Sequence, residues 1–237
     1  MGLLLHCGGQ HVELNDLQTI PLPEETPSYK PVSHFDLALN LADVAINLLH
    51  NHTLDSSQYG IARDGKQMFG VHTFRNGNES MGLSIGFRNS YDKSMSVGIA
   101  VGASVFVCDN LALTGEVTVM RKHTTNVWHD LEELAITTIY RSKSNFHLIQ
   151  EDAEAMKYDP VDDDRAYRQL GLLYGRGIIT PRQIPVVKKE WLKPSYEDFY
   201  PRNQWSFYNA CTEALKSTPP TKIMEKHIGL HDTIIEG

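Results

Sequence analysis

The stretch from Tyr59 to Met120 constrains the fold more than any other part of the chain. Asp64-Gly65 lies between Tyr59–Arg63 and Gln67–Phe74, two strand-like runs, and this is the short-turn signature of a hairpin. Asn76-Gly77 marks a second turn. Strand patterns rich in Val, Ile, Leu and Phe follow at 81–88, 96–107 and 112–120, separated by polar connections at 89–95 and 108–111. Together these runs predict an antiparallel sheet of about five strands, close to the usual sheet size. The polar turn Asn89-Ser90-Tyr91-Asp92-Lys93-Ser94 lies at its centre.

Helices are predicted on either side. Four prolines between Pro21 and Pro31 disfavour both helix and central strand, so residues 1–32 read as an extended N-terminal arm. From Ser33 the pattern becomes that of a largely buried helix, with Ser33 as N-cap and Asp36 in the first turn. A long helix is predicted from Asn126 to about Met156, with Ser142–Asn145 as a possible interruption. Asp159-Pro160 can start another helix, Thr180-Pro181-Arg182-Gln183 carries an N-cap, a proline and a capping-box Gln, and two more helices fit 203–217 and 220–231. The fold class is thus α+β: a single domain over 33–237, with a sheet region at 58–122 and a helical region at 126–231.

Charge narrows the classes of partner. The formal net charge of −7 argues against a chain that coats nucleic acid or an anionic membrane over its whole surface. Acidity is concentrated in residues 1–59, with seven acids against one base, whereas residues 60–145 hold nine bases against eight acids. A local basic groove is therefore compatible with the composition. Three cysteines, Cys7, Cys108 and Cys211, have no CxxC spacing and fit a reducing cytoplasm. No apolar stretch approaches membrane-spanning length, Leu3-Leu4-Leu5 is too short for a signal-peptide core, and His6 stands where a myristoylation signal wants Ser or Thr.

Two polar connections could carry binding chemistry. Arg88, Asn89, Ser90, Tyr91 and Lys93 combine cations, hydroxyls and an aromatic face, the mixture that holds single-stranded nucleic acid; ordinary turn chemistry explains the same residues. Arg121, Lys122, His123 and Thr124 precede the long helix, whose free N–H groups favour anions, and a solvated loop is the competing explanation. His227 and His231 share a helix face, yet no HExxH or Cys pair accompanies them, so no metal site is expected. No Walker loop, no GxSxG and no Ca-binding loop occurs; Asp162-Asp163-Asp164 reads as the charged first turn of a helix. No catalytic residue and no cofactor are assigned, and Cys108 is more simply a buried structural thiol than a nucleophile.

The ordered series Arg88-Asn89-Ser90-Tyr91-Asp92-Lys93-Ser94, Val107-Cys108-Asp109-Asn110, Arg121-Lys122-His123-Thr124 and Tyr208-Asn209-Ala210-Cys211-Thr212-Glu213 resembles the DUF932 family of prophage and plasmid proteins, a family of unknown function. Its members carry an N-S-H-D-x-S turn, a C-x-N turn and a Y-N-A-x-T-E segment; Tyr91 stands here in place of the histidine. The resemblance spans roughly 30–230 and implies a mobile-element protein in a bacterial cytoplasm, with no established reaction. The element order is similar to the core of the Rad52-like annealing proteins. The expected function is a non-enzymatic, homo-oligomeric accessory protein that binds or anneals single-stranded DNA. The alternative is an interaction protein that inhibits a host defence or nucleic-acid-processing factor.

Overall fold

The computed structural model describes residues 9–77, 80–106, 110–124, 126–219 and 221–235, without the side chains at 114–119 and 143. The chain is α+β, as expected, but the sheet has six strands in the order β1-β2-β3-β4-β5-β6, every neighbouring pair antiparallel. The strands are β1 (Gln10–Val12), β2 (Thr53–Ala62), β3 (Gln67–Arg75), β4 (Met81–Ser90), β5 (Val97–Val105) and β6 (Asn110–Arg121). The additional strand, β1, comes from the predicted arm, which also contains the short helix α1 (Leu14–Thr19). Its three residues pair with Tyr59–Ile61 and cover the edge of β2. The remainder of the arm forms no further helix or named strand and turns back on itself at the Thr26–Tyr29 bridge before Ser33.

The β2–β3 hairpin turns where expected. Arg63, Asp64 and Gly65 all have positive φ, at 52°, 55° and 81°, a conformation that Gly accepts freely and Asp better than most residues. At the next polar connection the expectation needs correcting. Asn89 and Ser90 are not turn residues: β4 extends through both, and both are fully buried.

Period-two alternation sends neighbouring residues of a strand into two separate cores. Met68, Phe74, Leu83, Ile85, Phe87, Ile99 and Val101 face the main core with helices α2 (His34–Leu48) and α3 (Val127–Tyr158). Phe69, Val71, Ala100, Leu111 and Leu113 face a smaller core closed by Ile223 and Met224 of α7 (Ile223–Ile235). Covered on both sides, β4 and β5 are buried along their whole length.

Side-chain caps set several helix starts. Ser33 Oγ accepts from the Asp36 amide, Asp162 Oδ1 from the Arg165 amide and Asn203 Oδ1 from the Ser206 amide. These open α2, α4 (Asp163–Gly175) and α6 (Gln204–Leu215). α3 runs unbroken for 32 residues, because Ser142 turns its hydroxyl back to the Ile139 carbonyl inside the helix instead of breaking it. Gln183 accepts from both the amide and the hydroxyl of Thr180, but α5 (Ile184–Leu192) begins later than the proline signal implied.

Candidate anion-binding site

Antiparallel order brings the end of β4, the start of β5 and the end of β6 to one end of the sheet. Gln67 pairs with Ser90, and Val97 with Arg121. The β4–β5 turn (91–96) and the β6–α3 connection (122–126) are therefore neighbours, although about thirty residues separate them in sequence. The N-terminal segment crosses beside them, held by a hydrogen bond from the Lys30 amide to the His123 carbonyl and by the Thr26–Tyr29 bridge.

Asn89 fastens the three segments. Its Nδ2 donates to the Val32 carbonyl at 2.5 Å and to His34 Nδ1 at 2.9 Å, while its Oδ1 accepts from His123 Nε2 at 2.8 Å. These bonds fix both tautomers. His34 accepts at Nδ1, so its Nε2–H donates to the Gly65 carbonyl at 3.0 Å. Burial, only partly opposed by that carbonyl, pushes the His34 pKa down to about 4, and burial also lowers that of His123, so both rings are neutral near pH 7.

Tyr91 is built into the same block. Its hydroxyl accepts from the His34 amide at 2.9 Å, and the two rings stack with centroids 3.8 Å apart. The turn beyond is tied by its own side chains. Asp92 Oδ1 accepts from the Ser94 amide at 3.0 Å, Gln67 Nε2 donates to Asp92 and Ser94, and Ser90 Oγ both donates to the Met95 carbonyl and accepts from the Met95 amide. Burial would raise the Asp92 carboxyl, but hydrogen bonds from Ser94 and Gln67 hold it below its ordinary value. Within this turn Lys93 takes φ 59°, a left-handed conformation uncommon for Lys, and its ammonium lies 4.3 Å over the Tyr29 ring.

The result is an open recess of about 380 Å³, lined by Ser28, Tyr29, Lys93, Ser94, Met95, Ser96, Lys122 and His123. Two lysines and several hydroxyls face it, and no carboxylate among the described residues does. Tyr29, Met95 and His123 are buried beneath it, whereas Lys93, Ser94 and Lys122 are exposed. Such a set of donors can hold a phosphate, sulfate or carboxylate.

Of the residues singled out in the sequence, Lys93, Lys122 and His123 meet here. Thr124 is exposed nearby and its carbonyl accepts from the Val127 amide at the start of α3; Arg121 is half-buried and donates to the Met120 carbonyl. Asn89, Ser90 and Tyr91 lie behind the recess as its support. Arg88 points to the opposite face of the sheet, where its guanidinium meets Glu225 of α7 at 2.7 Å and the Thr221 carbonyl at 3.3 Å. Ser28 and Tyr29 were not anticipated, because the proline-rich arm carried no signal of where it would dock, nor was His34, which reads in sequence as an ordinary first residue of α2.

The remaining motifs read as fasteners. Asn110, the first residue of β6 and the last of the C-x-N motif, donates to Asn209 Oδ1 at 2.9 Å and so joins that strand to the Y-N-A-x-T-E helix α6. Cys7 and Cys108 lie outside the described residues; Cys211 is buried, which pushes its thiol pKa up and leaves it inert. His231 faces Asp152 at 3.3 Å, and among the described residues no group of three or more potential ligands could hold a metal. No described helix is long and apolar enough to cross a membrane.

No curated protein and no solved structure matches the chain, and the expected likeness to the Rad52-like proteins is not confirmed. The family model described as Domain of unknown function (DUF932) matches residues 26–232, a span that takes in both turns, the docked segment behind them and the α6 motif, and the chain belongs to that family.

Proposed function

We propose that the chain is a non-enzymatic nucleic-acid-binding protein that holds single-stranded DNA by its phosphates at the recess between Lys93 and Lys122. One observation supports this reading above the others: two turns distant in sequence each deliver an exposed lysine to one hydroxyl-lined recess with no carboxylate among its described lining residues. In a chain of net charge −7, that is a local site and not a coating surface. The chemistry is phosphate contact more than base stacking, since Tyr91 is buried against His34 and Lys93 covers the Tyr29 ring.

Binding is measured by fluorescence anisotropy of a labelled oligonucleotide over a salt series. Lys93→Ala/Lys122→Ala is expected to weaken it at least tenfold and to flatten the slope of log K against log salt by about 1.4, two contacts at roughly 0.7 each. No binding by the intact chain at low salt sinks the reading. Assembly belongs to the same proposal: the exposed Tyr140 and Tyr158 of α3 offer contact surface between copies. Light scattering is expected to show a multimer that persists or grows with the oligonucleotide, and a strict monomer under both conditions rejects that part.

A further inference from the structure

We infer that the recess is built for a dianionic phosphate group, a phosphomonoester, in preference to the monoanionic phosphodiester within a nucleic-acid strand. The inference rests on the reading of the recess as an anion site and specifies its occupant.

Charge is the first argument. Lys93 and Lys122 both line the recess, whereas Asp92 of the same turn does not line it and has its carboxylate engaged by Ser94 and Gln67, so its charge, felt at Tyr29, offsets the two ammonium groups only in part. A phosphomonoester carries about −1.5 to −2 at pH 7 with three terminal oxygens, whereas an internal phosphodiester carries a single charge. The hydroxyls of Ser28, Ser94 and Ser96 lie on the same lining and can serve the additional oxygens.

Shape is the second. Buried Tyr29, Met95 and His123 form the floor, and the exposed lysines stand at the rim. The docked N-terminal segment closes the floor through the hydrogen bond from the Lys30 amide to the His123 carbonyl. A terminal phosphate, with a single ester link, can seat three oxygens against this floor and rim, whereas an internal phosphate must keep both of its ester links at the opening. Its volume of about 380 Å³ accommodates a phosphate with its sugar.

Prior fixation is the third. Lys93 is held in a left-handed conformation by the Asp92–Ser94–Gln67 hydrogen bonds. His123 spends its Nε2 proton on Asn89, so the ring contributes no second donor and keeps Nδ1 as its acceptor.

The same phosphate could sit on a strand end or on a small molecule, and one experiment separates them. The intact chain is titrated with one oligonucleotide in 5′-phosphorylated, 3′-phosphorylated and 5′-hydroxyl forms, and separately with a nucleoside 5′-monophosphate. A terminal phosphate is expected to tighten oligonucleotide binding at least tenfold, and the gain is expected to vanish in Lys93→Ala/Lys122→Ala, whose cooperative thermal transition shows that it remains folded. Monophosphate binding that depends on the lysines, with no oligonucleotide bound, supports the phosphomonoester and assigns it to a small molecule while the DNA reading fails. Equal affinity for all three oligonucleotides overturns the inference, and if that affinity depends on the lysines the DNA reading survives. A terminal-phosphate gain that persists in the double variant overturns it as well, and binding of none of the ligands removes both.

Discussion

Asn89 holds three parts of the chain with one amide: the carbonyl of Val32, the ring of His34 and the ring of His123. An alanine there leaves a buried carbonyl and two buried ring nitrogens without partners, and each such loss costs about 1–3 kcal/mol. Asn89→Ala is therefore expected to lower stability by at least about 2 kcal/mol, measured as a shift in urea midpoint. Arg88, one residue away on the opposite face, has a different role. Its guanidinium is tied to Glu225 and Thr221, and Glu225 is half-exposed and regains water when the pair is broken. Arg88→Met is expected to cost about 1–3 kcal/mol by loosening α7, with no change in oligonucleotide affinity while the chain is folded. An affinity loss as large as that of Lys93→Ala would restore Arg88 to the interface.

Among the elements, close backbone approach makes one glycine far less replaceable than another on a neighbouring strand. A Cβ on Gly102 would collide with the Ala112 carbonyl across the β5–β6 ladder, beside the register shift between Ala100 and Gly102, and backbone cannot step aside as a side chain can. A Cβ on Gly86 meets only side-chain atoms, the nearest of them on Leu113 at 3.5 Å, an ordinary contact. Gly102→Ala is expected to destabilise by more than about 2 kcal/mol and Gly86→Ala by less than about 1 kcal/mol, read from thermal midpoints. This contrast also marks what the sequence could convey. Local chemistry was legible: the Asp64-Gly65 hairpin, the Ser33 cap of α2 and the acidic first turn of α4 all depend on residues within a few positions of one another. β1 and α1 were not, because three residues acquire a strand only by meeting Tyr59–Ile61 about fifty positions away. The site was half legible for the same reason. Lys93 and Lys122 announced themselves by charge, while Ser28 and Tyr29 joined them through docking, and Asn89 and Ser90 resembled a turn because polar residues that pair deep in a fold are indistinguishable in sequence from polar residues that face water.

Over the whole molecule, the histidines make stability depend on pH. His34, His72 and His227 lie in different parts of the structure, and burial pushes the pKa of each down to about 4; nearby carbonyls of Gly65, Ala38 and Leu111 offset this only in part. The unfolded chain returns each to about 6.5. Between those values the unfolded state binds more protons than the folded one, so stability is fully present above about pH 6.5 and is lost as pH falls toward 4. Each group contributes a slope of up to about 1.4 kcal/mol per pH unit within that window. Urea midpoints taken at pH 7.5, 6.0 and 5.0 are expected to hold steady first and then fall steeply, in a range where carboxylates are still largely ionised. Substituting one of them isolates its share: His227→Leu keeps an apolar side chain between α7 and β6 and is expected to flatten the decline by somewhat less than about one third, because His123, whose pKa burial also lowers, contributes alongside the three. A midpoint that stays level from pH 7.5 to 5.0 would mean that the buried rings take up protons without opening the fold, and that the Asn89 block tolerates a charged His34.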